Sequence, residues 1–181
     1  MTKTDEEIIN LYKNGNKEVF KDLIDKYTSP LFNFVARSVG KNNAPDILQE
    51  VFIKVWKNLE KFDSQKASFK TWIFTITKNT TIDFLKKKKN ILFSDIGEEN
   101  EYFSENIKDE SVLPDEILQK LQDFDLLNKS IDSLPENYKN ILVLHYQEEM
   151  TFLEIGKVLN KPLNTVKSYH QRAIIKLREM L

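Results

Sequence analysis

The stretch TFLEIGKVLNKPLNTVKS, residues 151–168, contains the signals for two helices joined by a tight turn. Thr151 and Glu154 have the spacing of a capping box, in which a hydroxyl and a carboxylate each accept a hydrogen bond from a backbone amide at the start of a helix. Pro162 cannot continue that helix, and Asn164 is a suitable cap for the longer one that follows. This arrangement predicts a helix-turn-helix.

The second of these helices is predicted to have one apolar side and one basic, polar side. The apolar side is expected to turn inward and consists of Val166, Tyr169, Ala173 and Leu177. Residues 155–178 include six Lys or Arg residues and no acid. Outward side chains near the start of such a helix can meet base edges and phosphates. We therefore predict DNA contacts at Thr165, Lys167, Ser168, His170, Gln171 and Arg172.

Charge divides the chain into three segments. Residues 1–89 carry a net charge of +6, residues 90–116 carry −8 and residues 117–181 carry +1. The middle segment has no sustained helical or alternating pattern, so it is predicted to be an acidic linker between two small folded domains. The overall charge of −1 is therefore a cancellation that hides two basic domains.

The composition favours an all-α protein, since the 181 residues include only 4 Gly and 5 Pro. The absence of Cys excludes disulfides, thiolate nucleophiles and zinc sites that need sulfur. The two His residues are far apart in the sequence, so we expect no metal site and no cofactor. The amino terminus lacks a signal peptide and no apolar run approaches about 18 residues, so a cytoplasmic protein without membrane insertion is expected.

The helix predicted near residues 44–59 has two unlike faces. Its apolar stripe, formed by Leu48, Val51, Phe52, Val55 and Leu59, is expected to pack inward. The other sides combine carboxylates with exposed apolar groups, a mixture typical of a protein-binding surface. We predict that this surface comprises Asp46, Gln49, Glu50, Ile53 and Trp56. The alternative is that Trp56 packs against another helix.

Residues 64–89 contain seven Lys residues and a single acid. The helix that begins at Phe69 is expected to bury Phe69, Trp72, Ile73 and Ile76. Its other sides combine cations, hydrogen-bonding groups and an aromatic ring that could stack on a base, as single-stranded nucleic-acid surfaces do. We predict nucleic-acid contacts at Lys70, Thr71, Phe74, Lys78 and Asn79. The alternative to nucleic-acid binding is that this basic run is only a solvated face of the protein.

Taken together, the two halves resemble a bacterial sigma factor of the extracytoplasmic-function (ECF) group. In the first half the resemblance rests on DILQEVFIKVW (46–56) and FKTWI (69–73), with Asn79 and Asp83. In the second half it rests on Leu134-Pro135, TFLEIG (151–156) and NTVKS (164–168), with Arg172-Ala173. Two separate motifs in the expected order are far more specific than either alone.

The resemblance implies an RNA polymerase specificity subunit that directs promoter-specific, DNA-dependent transcription initiation in response to an envelope or external signal. The domain at 1–89 would be sigma region 2 and would bind the clamp helices of the core enzyme through the surface around Trp56. The domain at 117–181 would be sigma region 4 and would meet the polymerase flap. The acidic linker at 90–116 would lie in the RNA exit path. An anti-sigma factor is an expected partner.

The resemblance also implies how promoter DNA is bound. The 62–69 loop, with Ser64 and Lys66, would take a base flipped from the nontemplate strand, and the basic helix, including Lys86, would help to open the downstream element. The helix-turn-helix, with Asn164 added to the contacts above, would bind the upstream element as duplex. The sigma subunit itself makes and breaks no bond, so it is not expected to be an enzyme.

Two positions depart from the family pattern. Tyr169 stands where many relatives have a basic residue, and Lys86 stands where Arg is common. Since Lys cannot make the bidentate fork that Arg makes with guanine, we expect a readout that is weaker or that relies more on DNA shape.

Two other interpretations are compatible with parts of the sequence. An ordinary helix-turn-helix regulator with an amino-terminal sensing or dimerising domain would explain the last 65 residues equally well. It would not explain the basic stretch at 64–89 or the surface at 46–56. A helical enzyme or scaffold is disfavoured because no nucleophile–base or metal-binding pattern is present, although carboxylates are numerous.

Overall fold

The computed structural model describes residues 3–92 and 124–180, and within these ranges every regular element is a helix. The first unit contains α1 (Asp5–Lys13), α2 (Phe20–Val39), α3 (Ala44–Asn58) and α4 (Phe69–Leu92), with short 3-10 turns at Lys17–Val19 and Leu59–Lys61. The second unit contains α5 (Phe124–Ser133), α6 (Glu136–Leu142), a π-helical turn at Val143–Gln147, α7 (Phe152–Leu159) and α8 (Leu163–Met180). The predicted all-α architecture is confirmed.

In the first unit, α2, α3 and α4 pack around a common apolar core. Four of the five residues predicted for the inner stripe of α3 are buried, and Phe52 is half-buried. The stripe lies against Leu31 and Val35 of α2 and Ile73 of α4, which are also buried. This packing leaves the opposite side of α3 facing outward.

Helix α4 is buried on more than one side, because it packs against α2, α3 and also α7 of the second unit. Threonines fill several of its buried positions, including Thr77, Thr80 and Thr81. Each of these hydroxyls donates to the carbonyl four residues earlier, at 2.8, 2.8 and 2.9 Å. Since the hydroxyls are satisfied within the helix, they can be buried without leaving a polar group unpaired.

In the second unit, α7 and α8 form the predicted helix-turn-helix. The capping box is confirmed, since the amide of Glu154 donates to the Thr151 hydroxyl and the amide of Thr151 donates to the Glu154 carboxylate. The predicted start of the second helix is wrong by two residues, since a cap at Asn164 would make Thr165 the first helical residue. Helix α8 begins at Leu163, so Asn164 lies inside its first turn and is not the cap.

The two units are in contact in this structure. Their buried apolar residues form one continuous cluster that extends from Leu31 and Val51 in the first unit to Ile155 and Val158 in the second. An ion pair of 2.6 Å joins Arg37 of α2 to Asp132 of α5. Both apolar and charged groups therefore hold the units together.

The predicted acidic linker lies outside the described residues, apart from residues 90–92, which end α4. Helix α4 therefore extends three residues beyond the predicted end of the first domain at 89. None of the described helices combines the length and apolar character needed to span a membrane.

Candidate nucleic-acid and partner interfaces

The outward side of α3 carries an apolar pair beside acidic and amide groups. Ile53 and Trp56 are 44% and 54% exposed, which are large fractions for side chains of this size. The other members of the predicted surface are also exposed, so one surface contains all five residues: Asp46, Gln49, Glu50, Ile53 and Trp56. We call this surface the α3 patch. Trp56 is not part of the buried core.

A neighbouring lysine forms an ion pair with one carboxylate of the α3 patch. The Nζ of Lys54 lies 2.7 Å from the carboxylate of Glu50, one helical turn away. This hydrogen bond is the main cause of the lowered pKa of Glu50, which keeps the carboxylate ionised. Lys54 also donates to the hydroxyl of Thr80 at 3.1 Å, which ties α3 to α4.

The predicted nucleic-acid face of α4 is only partly open. Ser64, Lys66, Asn79 and Lys86 are exposed. Lys70 and Lys78 are half-buried, whereas Thr71 and Phe74 are buried. We use the name α4 face for the surface that remains after Phe74 is removed: Ser64, Lys66, Lys70, Thr71, Lys78, Asn79 and Lys86.

The placement of Phe74 on this face was wrong. Its side chain is 0% exposed and its ring meets Phe34 of α2 edge to face, with the centroids 5.6 Å apart. Because α4 is packed by several helices, its buried surface is wider than a single apolar stripe. Phe74 is a core residue and cannot stack on a base in this conformation.

Thr71 was also predicted to face outward, yet it is only 2% exposed. Its hydroxyl lies 2.9 Å from that of Ser68 and 3.4 Å from the carboxylate of Glu154 on α7. Unlike Phe74, Thr71 is thus covered in part by a residue of the second unit. Its burial depends on the position of that unit.

The two basic stretches that the sequence places far apart lie side by side in the structure. The pKa of Lys78 is lowered, first by partial burial and then by the positive charges of Lys161 and Lys86. Lys161 belongs to the turn of the helix-turn-helix, whereas the other two belong to α4. Lysines of the two units therefore lie close enough for their positive charges to interact.

On α8, most of the predicted DNA-contacting residues are at least partly accessible. Asn164 and Lys167 are exposed, whereas Thr165, Ser168, Gln171 and Arg172 are half-buried. The Ser168 hydroxyl donates to the carbonyl of Thr165 at 3.0 Å, which orients it along the first turn of the helix. We call this surface the α8 face.

His170 does not belong to the α8 face, and its prediction as an outward residue was wrong. It is 6% exposed and lies in an aromatic cluster with Tyr146, Phe152 and His145. The Tyr146 hydroxyl is 3.1 Å from its Nε2. Burial, followed by the neighbouring His145, lowers the pKa of His170 to about 4, so the ring is neutral near pH 7.

No pattern in the sequence predicts that His145 and His170 are neighbours. Their ring centroids are 5.3 Å apart. His145 is further held by a contact of 2.9 Å between its Nδ1 and the carbonyl of Met150. Within residues 3–92 and 124–180, no group of three or more His, Cys, Asp or Glu side chains is arranged to hold a metal ion.

Comparison with known families accounts for both units. The family model of sigma-70 region 2 matches residues 23–91, and that of sigma-70 region 4 matches residues 124–177. The chain belongs to the sigma-70 family. The α3 patch and the α4 face lie in the region 2 match, and the α8 face lies in the region 4 match.

Relatives of this sigma factor place it in the ECF group. The ECF RNA polymerase sigma factor SigW of Bacillus subtilis is 33% identical over 177 residues, covering 96% of this chain and 94% of SigW. The ECF RNA polymerase sigma-E factor of Escherichia coli K12 is 27% identical over 173 residues, covering 94% and 90%. These alignments cover both units and the segment between them.

Two solved structures have the same fold. CnrH, in complex with the cytosolic domain of CnrY, superposes with a TM-score of 0.63 at 20% identity, covering 97% of this chain and 96% of CnrH. The sigma factor RpoE of Bartonella quintana, in complex with the anti-sigma factor NepR, gives 0.61 at 19% identity, covering 88% and 96%.

The chain is therefore a sigma factor for promoter-specific transcription initiation. The alternative of an ordinary helix-turn-helix regulator is not favoured, because it requires an unrelated amino-terminal domain. The first unit is instead sigma region 2, and the relatives match this chain from one end to the other.

Proposed function

We propose that three surfaces of this sigma factor divide the work of initiation. The α3 patch binds core RNA polymerase at its clamp helices, the α4 face takes the downstream element as single strands, and the α8 face binds the upstream element as duplex. The observation that carries the proposal is the exposure of Trp56, 54%, beside two carboxylates and an amide on a helix whose opposite side packs into the core.

The physical properties of the α3 patch support a protein partner. An exposed Trp beside an exposed Ile is costly to leave in water, and aromatic anchors dominate protein interfaces. Its acidic neighbours would repel DNA phosphates and favour a basic protein surface. The partner expected here is the polymerase and not nucleic acid.

The α4 and α8 faces differ in the form of DNA that they suit. On the α4 face, Lys66, Lys78 and Lys86 supply charge for the backbone, and the 62–69 loop supplies polar groups for an unstacked base. On the α8 face, Lys167, Ser168 and Asn164 lie at the start of a helix that can enter a major groove.

We further propose where this sigma factor acts and which other partners it contacts. It acts in the cytoplasm, positions DNA and polymerase without catalysing a reaction, and meets the polymerase flap through its second unit. The acidic segment at 90–116 follows the RNA exit path. An anti-sigma factor holds it inactive until an envelope or external signal arrives, as the complexes of CnrH with CnrY and of RpoE with NepR support.

Three variants test the division of labour, because each changes one surface. Trp56→Ala is expected to weaken association with core polymerase, Asn79→Ala to reduce permanganate reactivity of the melted promoter, and Lys167→Ala to weaken binding to duplex promoter DNA by the holoenzyme. When each variant is added at a concentration that saturates core polymerase, the other two steps should stay within about twofold of the wild type. Failure of all three variants at the same step would refute the division.

A further inference from the structure

The strongest feature that the three proposed surfaces leave unused is a lysine held over an aromatic ring at the turn between α7 and α8. The Nζ of Lys161 lies 5.3 Å from the centroid of the Tyr169 ring. We infer that Tyr169 positions Lys161 to pair with a phosphate of the upstream promoter element, beside the groove that α8 enters. The proposed binding of duplex DNA by the α8 face is the basis of this inference.

The backbone of the turn is fixed by contacts with α7. Asn160 ends α7 in the left-handed conformation, at φ 53° and ψ 50°. The amide of Lys161 then donates to the carbonyl of Gly156 at 2.9 Å, which closes the turn. A Cβ at position 156 would lie only 2.9 Å from the carbonyl oxygen of Lys161, so a turn this close to α7 requires glycine there. The backbone of Lys161 therefore has a defined place, and only its side chain is left to be oriented.

The ring of Tyr169 orients that side chain from α8. An ammonium group within about 6 Å of a ring centroid is attracted to the negative face of the ring. The Tyr169 ring is itself half-buried and meets the ring of Tyr138 on α6 edge to face, with the centroids 5.5 Å apart. Because a second ring braces it, the Tyr169 ring offers Lys161 a fixed platform.

The positive charge of Lys161 is not balanced by an acid of its own unit or of the other one. Residues 155–178 contain no Asp or Glu. Within residues 3–92 and 124–180, the Lys161 ammonium makes no ion pair with a carboxylate. A cation here also opposes the dipole of α8, whose positive end begins at Leu163. Lys161 therefore does not stabilise the start of the helix, whereas a phosphate beside the turn would be attracted by both positive charges.

The turn is well placed for a phosphate of the DNA backbone. Asn164 and Lys167, which are the exposed residues of the α8 face, follow it directly at the start of α8. When these residues meet the major groove, the turn lies beside the backbone that borders the groove, and phosphate contacts of this kind fix the register of a protein on the duplex. Tyr169 stands where many relatives have a basic residue, so in this chain the lysine of the turn supplies the charge that α8 lacks at that position.

A double-mutant cycle tests whether the two residues act together. Holoenzyme formed with each variant is titrated with a duplex promoter fragment from a start site mapped by transcription of genomic DNA. Lys161→Ala is expected to weaken binding by about 3- to 10-fold and to reduce the slope of log K against log salt concentration by about 1. Tyr169→Leu is expected to weaken binding by about 2- to 5-fold, because the lysine keeps its charge but loses its platform. The double variant should bind within about twofold of Lys161→Ala alone.

Two further variants control the cycle. Tyr169→Phe keeps the aromatic face and should bind like the wild type, which separates the ring from its hydroxyl. Lys176→Ala removes a lysine that lies 5.5 Å from the centroid of the Tyr138 ring further along α8, and it should change the affinity by less than about twofold. Losses that multiply in the double variant would overturn the inference, because residues that act independently contribute additively to the free energy of binding.

NMR of the free protein tests the position of the lysine without DNA. The ring current of Tyr169 should move the methylene protons beside the Lys161 ammonium upfield of those of exposed lysines. This shift is expected in the wild type and in Tyr169→Phe and should vanish in Tyr169→Leu, and the same spectra show whether each variant is folded. Methylene shifts of Lys161 that are equal in wild type and Tyr169→Leu would overturn the inference.

Lys167→Ala distinguishes failure of the inference from failure of the proposed function. If Lys167→Ala weakens duplex binding by the holoenzyme and Lys161→Ala does not, the inference is overturned and the α8 face stands. If neither variant weakens duplex binding, the proposed role of the α8 face is overturned as well.

Discussion

The rings of Phe34 and Phe74 meet edge to face at 5.6 Å, and this contact places Phe74 in the centre of the first unit. Helices α2 and α4 are therefore joined by an aromatic pair directly beneath the α4 face. Lys70, Lys78, Asn79 and Lys86 of that face are carried by a helix whose inner side is buried, which suits a surface that must hold separated DNA strands.

Phe74→Ala is expected to destabilise the protein by about 3–5 kcal/mol, since it empties a fully enclosed aromatic site. Urea denaturation followed by far-UV circular dichroism measures the loss. Phe74→Leu keeps most of the volume and should lose less, so it provides a folded variant for oligo(dT) binding. The assignment to the core is contradicted if the Phe74→Ala variant keeps a free energy of unfolding within about 0.5 kcal/mol of the wild type and binds oligo(dT) more weakly. Phe74 would then belong to the DNA-binding surface.

Trp56→Ala is expected to weaken core polymerase binding by about tenfold or more, because exposed aromatic residues are frequent hot spots in protein interfaces. Its free energy of unfolding should change by less than about 0.5 kcal/mol. Leu11→Ala is the control, since Leu11 is a partly exposed apolar residue on α1. Equal effects of the two variants on polymerase binding, measured by fluorescence anisotropy, would argue against the α3 patch.

Stability is expected to fall as the pH drops from about 6.5 towards 4, partly because of His170. The pKa of His170 is about 4 in the folded protein against 6.5 for an ordinary His, so within this window the unfolded chain binds a proton that the folded chain does not. Above pH 6.5 both forms are neutral and this contribution to stability is complete.

The matched variant for this effect is His170→Phe, which keeps an aromatic ring beside Phe152 but cannot be protonated. Urea denaturation at pH 7.5 and pH 5 should show a smaller loss of stability for the variant than for wild type. Carboxylates titrate in both proteins and cancel in the comparison. An equal loss in the two proteins would show that the His170 ring does not resist protonation.

Lys167→Ala is expected to weaken duplex promoter binding by the holoenzyme about equally across sequences. It should reduce the slope of log K against log salt concentration by about 1, as the loss of one phosphate contact does. Lys176→Ala is the control further along the same helix, where the Lys176 ammonium lies over the Tyr138 ring. A loss confined to particular base pairs, with no change in slope, would assign Lys167 to base readout.

Local signals in the sequence predicted much of the fold. The capping box at Thr151 marks a real helix start, since this motif acts within one turn of the chain. The inner stripe of α3 was predicted correctly because α3 is packed by its own unit on one side and open on the other. The exposed position of Trp56 follows from the same periodicity.

What the sequence did not reveal depends on tertiary packing. Thr71 and Thr77 look like surface residues of a helix, but intrahelical hydrogen bonding or the adjacent unit allows them to be buried. His170 has a polar side chain, yet it is enclosed by Tyr146 and Phe152, which belong to other elements of the fold. The contact between Lys70 and Glu148 joins residues 78 positions apart, which no local pattern encodes.

The role in promoter-specific initiation can be measured by transcription from total genomic DNA with purified core RNA polymerase, with and without this protein, followed by sequencing of the RNA 5′ ends. We expect discrete new start sites that share one upstream and one downstream element, and with Trp56→Ala we expect these start sites to be used less often when the protein is limiting. A protein that binds duplex DNA tightly but adds no start site to those of core polymerase alone would contradict this role.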